Sequence, residues 1–151
     1  MLAAGKFLYR NVLCVYPHQK GAPEKKYCPP IGLEFIAAAL ECSVEKVTLI
    51  DMRFEPDLDK FIKNNPVDLV CLSVCWDYQR DAALNIIARI PSNIKVVVGG
   101  RYATAYVEEL FAAAPNIDII VRGDGEESIR DISSGLPLKD ILGISYRKDS
   151  S

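Results

Sequence analysis

Five short apolar runs recur along the chain, separated by longer stretches in which apolar residues return every three or four positions. The runs cover residues 12–16, 47–51, 68–74, 95–99 and 118–122. All but the second are apolar almost throughout, as strands covered on both faces are. Between them PIGLEFIAAALE, EPDLDKFIKN, RDAALNIIARI and TAYVEELFAAA carry helical spacing, and EESIRDIS follows the fifth run. Pro30 suits the first turn of the first helix, and GISYR at 143–147 reads as a possible sixth, edge strand. Strand and helix therefore alternate five times with short connections. That order predicts an α/β fold, a doubly wound five-stranded parallel sheet with helices on both faces.

In such a sheet ligands sit beyond the carboxyl ends of the strands, so the five loops at that edge carry most of the functional information. The first, residues 17–29, is thirteen residues long, where ~2–6 is usual, which marks a lid or wall. It holds the only histidine, His18, with Lys20, Lys25, Lys26 and Tyr27. Gly99 and Gly100 close the fourth strand without side chains. One glycine serves a tight turn, and the adjacent pair tilts the balance toward a ligand that approaches the backbone. After the fifth strand Gly123 and Gly125 bracket Asp124, and Glu126 and Glu127 open the next helix, where acids complement its dipole. At the end of the third strand the Ser73 hydroxyl suits a ligand or the neighbouring backbone equally. Trp76 and Tyr78 just beyond it either wall a ligand or cap the core.

A chain of 151 residues, 50% hydrophobic and 25% charged, makes one globular domain spanning 1–151, able to bury ~70% of its unfolded surface. Lys+Arg 18 against Asp+Glu 20, with no basic block, argues against nucleic acid or an anionic membrane as the main partner. The apolar runs stop short of the ~18 residues a membrane span needs. Lys6 and Arg10 interrupt what would be the apolar core of a signal peptide, so we expect a cytoplasmic protein. The five cysteines are irregularly spaced, unlike a disulfide framework. Cys71 and Cys75 stand in CxxxC spacing, two thirds of the CxxxCxxC motif that holds a radical-SAM iron–sulfur cluster, but Tyr78 occupies the third place. Core packing is the better reading of both. There is no GxSxG nucleophile and His18 has no evident acid partner, so no catalytic residue is assigned.

Five pieces in order resemble the cobalamin-binding domain at the N-terminus of cobalamin-dependent radical-SAM enzymes. They are PPIGLEFIAAALE, VTLIDMRFE, PVDLVCLSV, VVVGGRYAT and IDIIVRGDGEESI, and LKDILGISYRKDSS resembles that domain's short closing strand. The resemblance implies a flavodoxin-like or Rossmann-like sheet with the corrin ring on its carboxyl edge. The nucleotide tail would enter a cleft lined by the first, third and fourth strands. By position, Ser73 would meet the tail, Gly99, Gly100 and Arg101 would lie beside it, and Gly123, Gly125 and Glu126 would line the corrin side. Arg101 and Tyr102 stand where the family commonly has proline and histidine. Cobalamin is the cofactor implied for this chain. An iron–sulfur cluster and S-adenosylmethionine would belong only to a full-length enzyme, whose radical-SAM barrel would follow Ser151. The chain would not be catalytic alone. The alternative is a scaffold or substrate-docking domain of the same fold that binds no cobalamin. In methionine-synthase-type domains a DxHxxG motif supplies a histidine to cobalt. Here the stretch from Tyr16 to Gly21 keeps HxxG without the acid that would orient the imidazole, so no cobalt ligation by His18 is expected.

Overall fold

The computed structural model describes residues 7–19, 21, 28–55 and 57–148. The loop residues Lys20, Lys25, Lys26 and Tyr27, the stretch around Lys6 and the end of the polar tail lie outside that set.

The chain runs β1 (Asn11–Tyr16), α1 (Ile31–Leu40), β2 (Lys46–Asp51), α2 (Leu58–Asn64) and β3 (Leu69–Ser73). After a single 3₁₀ turn at Asp77–Gln79 come α3 (Arg80–Ile87) and β4 (Lys95–Gly99). Next are α4 (Arg101–Ala105), α5 (Val107–Ala113), β5 (Ile119–Val121) and α6 (Glu126–Ser134). A second 3₁₀ turn, Leu138–Asp140, leads into β6 (Ile144–Tyr146). The sheet order is β2-β1-β3-β4-β5-β6. The first five strands pair in parallel and β6 pairs antiparallel with β5, so the expected parallel sheet carries the sixth strand at its edge.

Because side chains alternate across a strand, each central strand feeds two cores. Leu13, Val15, Val70, Leu72, Val96, Val98 and Ile120 face α2, α3, α4 and α5, packing on Leu58, Ile86, Ile87, Ala103 and Leu110. Val12, Cys14, Leu69, Cys71, Val97, Ile119 and Val121 face α1 and α6, packing on Leu33, Leu40, Ile129 and Ile132. Two aspartates that open apolar runs in the sequence stay outside the strands. The Asp68 carboxylate accepts from the backbone N–H of Arg10 and Asn11, each at 2.8 Å. That of Asp118 accepts from Val96 N–H at 2.8 Å and Lys95 Nζ at 3.0 Å. They satisfy donors at the amino edge of the sheet, opposite the ligand edge.

The fourth helical stretch differs from expectation. It begins three residues early, at Arg101, and is divided at Tyr106, whose φ of −125° and ψ of 45° are not helical. The early start comes from the turn at Gly100, and the break lets the Tyr106 ring stack on Tyr102 at 4.4 Å between centroids. Among the described residues, no helix is long and apolar enough to cross a membrane.

Candidate functional site

Strand parity carries past the last buried residues of the sheet. Ser73 follows Cys71 on one face of β3, and Gly99 follows Val97 on the same face of β4; the two are register partners. Beyond them that face opens into a cavity of about 140 Å³ between the sheet and helices α1 and α6. β3, β4 and β5 contribute Cys71, Ser73, Val97, Gly99 and Val121. Helix α1 contributes Gly32, Leu33 and Ile36, and the β5–α6 turn and α6 contribute Gly123, Asp124, Gly125, Glu126 and Ile129. The walls are therefore the third, fourth and fifth strands. The first strand takes part only through the helix that follows it.

The two glycines after β4 have different duties. Gly100 sits at φ 104°, and a Cβ there would come within 2.5 Å of the Val74 carbonyl oxygen. That oxygen accepts from the N–H of Tyr102 and Ala103 at 3.1 and 3.3 Å, capping the start of α4. Gly100 thus serves the turn, and its backbone geometry alone excludes a side chain. Gly99 has no such constraint. A Cβ added there would meet only Val121, its carbonyl oxygen at 3.8 Å and Cβ at 3.9 Å, which is ordinary contact. The room beside Gly99 is the cavity itself. Gly125 is a packing glycine, since a Cβ there would press on Ile36 Cδ1 at 2.9 Å and Val121 Cγ1 at 3.2 Å.

Of the residues singled out in the sequence, Ser73, Gly99, Gly100, Gly123, Gly125 and Glu126 come together around this cavity. Arg101 does not join them: its guanidinium lies over the Trp76 ring, 5.5 Å from the centroid, on the exposed first turn of α4. His18 is half-buried and is not among the lining residues described. Cys71 is buried in β3 as expected of a core residue, whereas Cys75 lines the cavity, its Sγ 3.4 Å from Ser73 Oγ. Cys75, Asp124, the α1 residues and Ile129 of α6 were missed. The available signal was Gly32, a glycine one position inside a helix start, with Leu33 and Ile36 at inward spacing. Among the described residues, no group of three His, Cys, Asp or Glu could hold a metal ion.

Two further features shape this edge. Ile31, Phe54, Trp76 and Leu142, from four separate segments, are 55%, 67%, 39% and 87% exposed. All four stand at the carboxyl edge, Leu142 because antiparallel β6 begins there, with Arg122 N–H donating to the Gly143 carbonyl at 2.7 Å. The second feature is a clasp. Arg53, just past β2, donates from Nε to Asp51 Oδ1 at 2.9 Å, from Nη2 to Oδ2 at 2.5 Å and from Nη2 to the Cys28 carbonyl at 2.9 Å. Its guanidinium lies 4.6 Å from the Tyr16 ring centroid and 5.7 Å from that of Phe54. The hydrogen bond to Asp51 pushes the Arg53 pKa further up, so the guanidinium stays charged. One side chain thus ties the ends of β1 and β2 to Cys28 near the end of the long first loop, three positions before α1 begins.

A doubly wound sheet with a lined cavity at its carboxyl edge defines a ligand-binding α/β domain. Residues 22–133 match the B12 binding domain model, and the chain belongs to that family, in agreement with the five ordered segments of the sequence. It is 33% identical over 131 residues to an uncharacterized methyltransferase of Pyrococcus horikoshii, covering 80% of this chain and 28% of that protein. It is 30% identical over 141 residues to the anaerobic magnesium-protoporphyrin IX monomethyl ester cyclase of Synechocystis, covering 83% of this chain and 28% of that protein. The chain therefore spans under a third of the length of these relatives.

Proposed function

We propose that this chain, residues 1–151, is the cobalamin-binding module of a longer radical-SAM enzyme and is not catalytic by itself. The observation that carries the proposal is the space beside Gly99. It is a cavity on the ligand edge of the sheet, open beside Gly99, where an added Cβ would meet only Val121 in ordinary contact. The residues present suit the cofactor. Gly99 and Ser73 would hold the nucleotide tail, and the exposed apolar rim of Ile31, Phe54, Trp76 and Leu142 would support a large macrocycle. Gly123, Gly125 and Glu126 would line the corrin side, and Arg101 would act from outside the cavity. When bound, cobalamin would supply cobalt chemistry such as methyl transfer. The residues of this chain bind and orient it and keep water from its tail. Relatives about three times as long, one named a methyltransferase and one a cyclase, support a catalytic partner domain, which we take to be a radical-SAM barrel carrying its own cluster.

The test is to add hydroxocobalamin to the purified chain, desalt, and record the absorbance spectrum. About one cobalamin retained per chain is expected, with affinity tighter than ~1 mM. No retention at that concentration, by this chain or by a longer form that includes the following region, would leave the scaffold reading in its place.

A further inference from the structure

The cavity changes character with depth. Its mouth is polar, with the Ser73 hydroxyl, the Cys75 thiol and the carboxylates of Asp124 and Glu126. Two residues further down the strands, Ser73 and Gly99 give way to Cys71 and Val97, and the helices present Leu33 and Ile129. All four of these are buried. The strand backbone at that depth is committed to the ladder, Cys71 pairing with Val97 on one side and Cys14 on the other. Among the described residues the single side-chain heteroatom of the floor is the Cys71 sulfur. Its interaction with Cys14, reinforced by burial, holds it as a neutral thiol, which is a weak hydrogen-bonding group.

A group that reaches the floor therefore finds apolar surface and no strong donor or acceptor. Resting on the reading that this cavity takes the nucleotide tail, we propose that Leu33, Cys71, Val97 and Ile129 select among cobamides by the tail base. The cavity accepts a benzimidazole-type base, whose outer ring is hydrocarbon, and rejects a purine, whose outer ring carries nitrogens and an exocyclic amine. Buried against this floor, those polar atoms would lose water and gain no partner. The hydrocarbon ring loses nothing of the kind and gains apolar contact.

Absorbance titration of the chain with three corrinoids tests this. They are cobalamin, the analogue with adenine as its lower base, and tail-less cobinamide. Cobalamin is expected to bind about tenfold or more tightly than either of the others, the discrimination that one unmet buried polar group produces. Equal affinity for the adenine analogue overturns the selectivity while leaving cobalamin binding intact. Cobinamide binding as tightly as cobalamin overturns it by showing that the tail adds nothing. Failure of all three to bind removes the underlying cobalamin reading as well. Val97→Thr keeps the side-chain volume and adds a hydroxyl to the floor, so it should narrow the gap between the two tailed corrinoids at least about threefold; an unchanged gap would place the discrimination elsewhere.

Discussion

At the scale of single residues, Gly99 and Gly100 separate two roles that the sequence presents as one. Gly99→Val adds a β-favouring side chain at a position with room for it. The expected result is a cobalamin affinity at least about tenfold weaker with a thermal midpoint unchanged or slightly raised. A variant that binds normally would mean that the ligand lies elsewhere. Gly100→Ala should behave oppositely as a folding variant. Its φ of 104° and the Val74 carbonyl leave no place for a Cβ, so urea unfolding should show a loss of roughly 1–3 kcal/mol. Arg53 gives a third outcome. Its ion pair with Asp51 is almost covered, the side chains being 11% and 14% exposed, so Arg53→Met strands a carboxylate and should cost about 3 kcal/mol. The double variant Asp51→Asn, Arg53→Met removes both charges and should recover more than half of that. If it recovers nothing, the Cys28 and aromatic contacts rather than the ion pair hold the first loop in place.

At the scale of elements, β1, β3, β4 and β5 were legible because each is an almost unbroken apolar run, a consequence of being covered on one face by α1 and α6 and on the other by α2 to α5. The division between α4 and α5 was not, because apolar residues keep helical spacing straight through Tyr106. The break depends on backbone angles and on the Tyr102 stack rather than on composition. The candidate site was half legible. Ser73, Gly99, Gly123 and Gly125 follow from the rule that ligands bind at carboxyl ends of strands. The wall formed by Leu33, Ile36 and Ile129 was hidden, because residues that line a cavity under a helix carry the same pattern as residues that fill a core. Gly99-Gly100 shows the remaining limit. Two adjacent glycines do not reveal which one answers to φ and which to space. The first loop belongs to this scale too: His18 stands outside the described cavity lining. His18→Ala should therefore leave both cobalamin affinity and the cobalt absorbance bands unchanged, and a shifted spectrum in the variant would make His18 a cobalt ligand.

At the scale of the whole molecule, a buried thiol and two half-buried phenols tie stability to alkaline pH. Cys71 keeps its proton in the fold well above its ordinary value of 9.0, through Cys14 and then burial. Burial likewise raises Tyr9 and Tyr16 above 10.0. The unfolded chain releases these protons first. Hence the folded state binds more protons once the pH passes the unfolded values, and its stability falls as pH rises from there, with no contribution below them. Urea midpoints should decline above about pH 9, and Cys71→Ala should flatten the onset of that decline; an identical slope in the variant would assign the loss to other groups. The same sheet that buries these groups ends at the edge where ligand binding is proposed, which makes the location of binding the central claim. Hydrogen–deuterium exchange of the chain with and without hydroxocobalamin measures it directly. Slowed exchange is expected along the carboxyl edge alone, at the ends of β3 and β4, the segment after β2, the β5–α6 turn, the turn before β6 and the first turn of α1. Protection centred on the opposite face, over α4 and α5, or retained cobalamin with no protection at the carboxyl edge, would contradict it.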